Sequence, residues 1–444
     1  METVKPQQTS SRGLIRPLRP APAAGPGTEP PSIWKSRAFL LVFTGYNLSL
    51  FGNTFHSLAL NLWVLQTTGS AKMMSLVLIT QMAITMLFGS IAGTIADRVN
   101  RRTLMWAADL IRFALVALLA LLMAVPGSPF VLILLLTALT AFAGVLRTPA
   151  FQAALAEIVG KERIAQAVGA MTISDNMVRI GGYAAGGIAT AAFGGAVAVA
   201  VDALMFLLSA LLVLAAGAFP FAKERETPEK RERTSFRADF IAGLRFAGND
   251  RLTRTIIGLL PFVLFFFLSS FMLIQVMAVQ VWRVTPFTLG LIEACIPLGY
   301  IIGSILIMTF ERRIGRSGKW VLASVVLLGP AFIFISQASS AMLALPFIML
   351  AGFLFSFSTT ILHILLRTAV EPDMLGRVFG LLGSLTSAAP PLGLALFAAL
   401  SDQYGPSIVI ACSGAVLLAG SLAVSRTIWR IGEREQVASR GNRD

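Results

Sequence analysis

GTIADRVNRRTLMWAADLIR, residues Gly93 to Arg112, decides how the rest of the chain is read. The apolar run before its charges, Ala71 to Ala96, and the run after them, Thr103 to Val125, each supply the roughly 20 apolar residues that a membrane-spanning helix needs. The charged middle is therefore the tight turn of a transmembrane hairpin. A glycine, an acid and three arginines in such a turn are expected to pair with one another and with neighbouring helix ends.

Working outward, the composition agrees with a lipid solvent. The 444 residues are 56% hydrophobic and 13% charged, against about 25% charged in an ordinary soluble domain. Spans recur at about 38–65, 72–95, 103–125, 130–149, 166–190 and 194–219, and again at 255–281, 288–310, 319–336, 341–365, 378–400 and 406–428. Between the two sets of six lies a polar linker, 220–254, containing KERETPEKRERTSFRADF. The expected fold is an all-α polytopic membrane protein with two six-helix bundles, 37–219 and 255–428. A proline-rich tail, 1–36, reads as disordered rather than as a signal peptide. A second tail, 429–444, closes the chain.

The net charge of +14 would suit a nucleic-acid partner if it were clustered. Instead 32 of the 36 Lys and Arg residues fall on the side that carries both termini, Arg147 being counted among them, and the opposite loops hold only Lys72 and Arg283. By the positive-inside rule both termini are cytoplasmic and the excess charge is topological, so nucleic acid is excluded as a partner. All six tryptophans lie near span ends, as an interfacial belt requires. Cys295 and Cys412 sit in apolar runs and read as small buried hydrophobes.

The pattern G-x-x-x-D-R-x-x-R-R at Gly93 to Arg102, between the second and third spans, resembles the signature loop of the major facilitator superfamily of secondary transporters. Asn100 stands where that family usually has Gly, and Ile95 where it has Leu. The resemblance implies a gate in which Asp97 latches the two halves together by facing a helix N-terminus of the opposite half. Gly93, Arg98, Arg101 and Arg102 would support it. LRT closes both the fourth span (Leu146 to Thr148) and the tenth (Leu366 to Thr368), and ERRIGR (Glu311 to Arg316) is a degraded copy of the opening loop. Both echoes point to an internal duplication. GAMTISDNMVRIGGYAAGG is similar to the family's glycine-rich antiporter motif, with Gly169, Gly182, Gly186 and Gly187 in register, although Val178 and Tyr183 replace a Gly and the Pro. LWVLQTTGSA, DLIR, LRTPAF with a short helix through GKERIAQAVG, FIAGLRFAGNDRL and GRVFGLL resemble bacterial exporters akin to macrolide-efflux and enterobactin-export proteins.

Charges left inside spans cost a few kcal/mol each at a helix centre on insertion scales, so each needs a partner or a task. Asp109 and Arg112, three apart on the third span, can pair on one face and read as gating residues. Asp175 and Arg179, four apart on the fifth, form a second expected pair. Glu293 is the unpaired acid of the second half. Together with Asp175, Arg179 and His363 it is a candidate for proton coupling. Asn53, His56, Gln81, Asn176, Gln275 and Phe265 are candidates for a substrate cavity.

No G-x-x-x-x-G-K-[ST] loop is present, and two distant histidines cannot make a metal site. No enzyme activity, metal or cofactor is expected, which leaves an ion gradient as the energy source. The resemblance implies a multi-pass protein of a bacterial cell membrane, working as a monomer, that exports a bulky amphipathic drug or siderophore by proton antiport. An importer of a lipid-like or nutrient solute, or a non-transporting membrane sensor, would share the topology.

Overall fold

The computed structural model describes residues 33–160, 163–219, 236–309, 318–370 and 372–440. Most of the expected tail, the ERRIGR echo, much of the linker and the last four residues lie outside that set. Among the described residues the chain is helical throughout. A 3-10 turn at Ile33–Lys35 leads into α1 (Arg37–Thr68), α2 (Ala71–Arg98), α3 (Arg101–Ala124), α4 (Phe130–Val159), α5 (Ile164–Phe193) and α6 (Gly195–Ala215). After the linker come α7 (Phe236–Asn249), α8 (Arg251–Gln280), α9 (Pro286–Thr309), α10 (Gly318–Gln337), α11 (Ala341–Ala369), α12 (Pro372–Tyr404) and α13 (Pro406–Arg440).

Ten of these helices are long and apolar enough to cross a membrane. The other two of the expected twelve, α1 and α5, have 32 and 30 residues but carry the polar side chains that build the site below. Local chemistry sets the turns. Ser36 caps α1 by accepting a hydrogen bond from the Phe39 N–H (3.3 Å), and Gly69, at φ 65°, ends the helix in the left-handed region. Asn100, the departure from the family's glycine, caps α3 by accepting from the Thr103 N–H at 3.2 Å.

Three sequence expectations need correction. The fold begins before Arg37, because Ile33 is fully buried and Trp34 packs edge-on against Phe39 and Phe43. The fourth span does not stop at residue 149. Its helix carries Pro149 in its interior and continues to Val159, and α5 begins at Ile164. Cys412 is exposed on the helix surface and Cys295 is half-buried, so neither is a core residue.

The packing repeats itself. In the first set α1 packs on α5 and α6, α3 on α4 and α6, and α2 on α4. In the second set α8 packs on α12 and α13, α10 on α11 and α13, and α9 on α11, the same five contacts with every label advanced by seven. The two main contacts between the sets, α5 with α9 and α2 with α12, are exchanged by the same shift. That exchange is what a two-fold relation between duplicated halves produces.

Candidate functional site

A cavity of about 620 Å³ opens among α1 to α5 and extends from mid-helix toward the end where both sets of six begin, called here the basic end. Its wall includes Tyr46, Asn53, His56, Gln81, Arg112 and Arg179. Of the expected cavity residues, Asn53, His56 and Gln81 are therefore on the wall. Asn176, Gln275 and Phe265 are not. The Asn176 amide turns back to the Thr172 carbonyl (2.8 Å), and Phe265 packs edge-on against Phe266 and Phe397.

Behind the wall lies a cluster of buried charges. Asp109 is fully buried, and its carboxylate lies 2.7 Å from Nε of Arg147 and 3.7 Å from Arg112. The Ser209 hydroxyl donates to Asp109 (2.7 Å), and Arg147 also donates to Ser209 (3.3 Å). Arg112 donates to Ser49 (3.1 Å) and to Asn53, and its guanidinium stacks 3.8 Å over the Phe206 ring. The pairing of Asp109 with Arg112 expected from their spacing is present, but the shorter contact is to Arg147. Arg147 had been counted with the basic loops, yet it is only 5% exposed and inside the bundle.

The sequence reading also passed over Asp202 on α6. It is 1% exposed, and one carboxylate oxygen lies 3.2 Å from Nδ1 of His56 on α1. Gly52 makes room for it, since any Cβ there would collide with the Asp202 side chain. With His56 neutral the cluster holds two acids and two arginines, so its formal charges cancel. Such balance is what makes buried charges tolerable in a membrane protein.

The remaining candidates are scattered. Asp175 and Arg179 make no ion pair, because the half-buried Asp175 turns toward Tyr46 while Arg179 is exposed on the cavity wall. His363 is exposed and stacks on Phe379. Glu293 is 3% exposed and lies beside Gln275, which in turn accepts from Asn61 of α1 at 3.5 Å. That chain of three joins the two sets of helices near the end opposite the basic one.

The signature loop divides its work. Arg101 donates to the Ala153 carbonyl (2.8 Å) and pairs with Glu157 (2.7 Å), which ties α3 to α4. Arg102 donates to the carbonyls of Val213 (3.2 Å) and Leu214 (2.5 Å), a cation at the C-terminus of α6. Arg98 is exposed, no atom lies within 4 Å of a Cβ built on Gly93, and the Asp97 side chain is outside the described residues. In the antiporter-like run, Gly169 is open, Gly182 and Gly186 press on Thr54 and Phe55 of α1, and Gly187 meets Gly290 of α9 backbone to backbone.

Residues 30–443 match the family described as transmembrane secretion effector. The chain belongs to that family. The chain is 28% identical over 400 residues to the uncharacterized major-facilitator-type transporter YfiS of Bacillus subtilis, covering 88% of this chain and 93% of that one. It is 22% identical to macrolide efflux protein A of Streptococcus pyogenes (87% and 94% covered) and 28% identical to the multidrug efflux pump Tap of Mycolicibacterium fortuitum (84% and 91%). In fold it is similar to the nucleoside transporter NupG, with a TM-score of 0.68 at 12% identity and 89% and 98% coverage. It is also similar to a bacterial homologue of the human lysosomal transporter Spinster solved inward-facing and unoccupied, with a TM-score of 0.64 at 15% identity and 93% and 98% coverage. The fold and the family are those of major facilitator transporters, not of enzymes.

In this transmembrane secretion effector the end opposite the basic one is held shut by more than packing. Asp402, at the end of α12, accepts from the Ser70 hydroxyl and the Ala71 N–H, both at 3.0 Å, and so caps α2 of the other half. Gln280 adds a bond to the Gly69 carbonyl (2.9 Å). Asp402→Ala is expected to remove about 1 kcal/mol from this closure and shift the populations of open and closed forms about fivefold. Labelling of a cysteine placed at Ser70 by a membrane-impermeant maleimide, in a background without Cys295 and Cys412, measures the shift, and unchanged labelling would show that the cap is idle.

Proposed function

We propose that the protein exports a bulky amphipathic small molecule, such as a macrolide-sized drug or a siderophore, in exchange for inward-moving protons. The observation that carries this reading is the polar cavity inside the membrane-spanning helices. Its volume of about 620 Å³ lies in the range that holds a drug-sized ligand, roughly 300–1,000 Å³. It extends toward one end of the bundle while helices seal the other, as alternating access requires. The basic end faces the bacterial cytoplasm in this reading, and the two halves, 37–219 and 255–428, rock about the cavity. The efflux relatives from Streptococcus and Mycolicibacterium support export over import.

The test is accumulation of a macrolide by inside-out vesicles, with and without an imposed pH gradient. Uptake that follows the gradient is expected. Gradient-independent equilibration would favour an importer or facilitator, and saturable binding without any flux would favour a sensor. The signature loop supplies a second check. Asp97→Asn is expected to leave membrane abundance intact and to lower export about tenfold or more, as the loss of a state-setting contact does. Wild-type export in that variant would remove Asp97 from the gate.

A further inference from the structure

We propose that His56 and Asp202 together form the proton-binding site of the transport cycle, an inference that rests on the proton-driven reading above. Four observations converge on the pair. His56 borders the cavity, so one face of its ring is in reach of water and substrate. Its Nδ1 lies 3.2 Å from Asp202, within ion-pair reach of that carboxylate. Nδ1 of His56 and the other oxygen of Asp202 are both buried with no hydrogen-bond partner, so the pair is poised to gain when the ring becomes an imidazolium. And the surrounding formal charges already cancel, so a proton here changes the cluster's charge from zero to plus one.

The groups that face the pair are few. From α3 come Arg112 and Asp109, with Arg112 close enough to Asp202 for direct electrostatic interaction. From α4 comes Arg147, and from α1 itself Tyr46. On α5, Asp175, Arg179 and Tyr183 are the titratable or charged groups, Arg179 sharing the cavity wall. Among the described residues of α6 and α8, Asp202 is the only acid on either helix, and the arginines of α8 sit in its first turn at the basic end.

When a proton arrives, it binds a neutral His56 beside the Asp202 carboxylate. The imidazolium and carboxylate then form a closed ion pair, and the negative charge that offset Arg112 is taken up by His56. Release reverses both steps, with no other bond made or broken. The change is felt along α1, because Asn61 lies on the same rigid helix roughly 7.5 Å further on. There it holds Gln275 and, through it, Glu293 of the opposite half. The helix that carries the proton therefore also carries a polar contact between the halves.

The test uses purified protein in vesicles, with a macrolide as the transported probe. Wild-type uptake is expected to rise about tenfold with the pH gradient, a typical size for coupling between two sites, and uptake by Asp202→Asn is expected not to respond to it. A wild-type protein indifferent to the gradient would overturn the proton-driven reading itself. A responsive wild type beside an equally responsive Asp202→Asn would overturn only the assignment to this pair.

For variants too slow to follow, protons exchanged when the macrolide binds the solubilised protein in weak buffer give the same comparison without turnover, with binding tracked by tryptophan fluorescence. The wild type is expected to exchange protons on binding, and Asp202→Asn to bind without doing so. Undiminished proton exchange in Asp202→Asn, or loss of its binding, would overturn the assignment.

Discussion

Gly187→Leu is expected to abolish net transport while the protein still inserts in the membrane, because the two halves can no longer close on each other. At this crossing of α5 and α9 a Cβ on residue 187 would sit 2.7 Å from the Pro286 carbonyl, 3.1 Å from the Gly290 Cα and 3.2 Å from the Phe287 Cα. All three are backbone atoms, so no side chain can swing aside, and the helices themselves must part. Overpacking of this kind costs roughly 1–3 kcal/mol, which amounts to about 5- to 160-fold in the ratio of closed to open forms. Maleimide labelling of a cysteine placed at Gln275, which is buried at the seam in the closed form, is expected to rise accordingly. Gly169→Leu is the control. Nothing lies within 4 Å of its Cβ position, so its effect is expected to fall within about 0.5 kcal/mol. Equal behaviour of the two variants would mean that the glycine crossing does not govern closure.

How far the sequence could be read depended on where each residue's partner lies. Spans and the hairpin turn are local properties of hydropathy, and their starts were legible to within six residues, but α4 runs on to Val159 and α13 to Arg440. Asp109 and Arg112 were legible because helical spacing put them on one face. The same spacing misled at Asp175 and Arg179, since a shared face permits a contact without requiring one and Tyr46 offers Asp175 another partner. Arg147 was misplaced because Pro149 reads as a helix stop, whereas inside a bundle the freed carbonyl is tolerated and α4 runs on for more than two turns. Asp202 was missed because nothing on its own helix pairs with it and its partner is on α1. The rule that every acid inside an apolar run needs a partner would have found it. Glu293 was flagged by that rule, but its place beside Gln275 depends on how α8 and α9 meet, which no local pattern encodes.

Removing Arg147 is expected to have the largest effect of any single side chain in the cluster, on abundance before transport. Asp109 has no exposure to solvent, and among its contacts the Arg147 guanidinium, at 2.7 Å, is the near cation, with Arg112 a full ångström further away at 3.7 Å. Breaking a buried pair from one side strands the remaining charge at a cost of about 3–5 kcal/mol. Folded proteins have only about 5–15 kcal/mol in hand. Arg147→Met is therefore expected to lower the amount of protein in the membrane several-fold and to depress the melting temperature of what remains in detergent. The double variant Arg147→Met with Asp109→Leu removes both charges and is expected to recover abundance, because a packed apolar pair avoids the desolvation that the ions incur. Transport is not expected to return with it, since Arg112 then loses Asp109 and is left with Asp202 as the one acid of the cluster. Should Arg147→Met melt at the wild-type temperature, Arg112 must have taken over the carboxylate, and the double variant Arg147→Met with Arg112→Met, which keeps Asp109, would expose it by failing where the single variant did not.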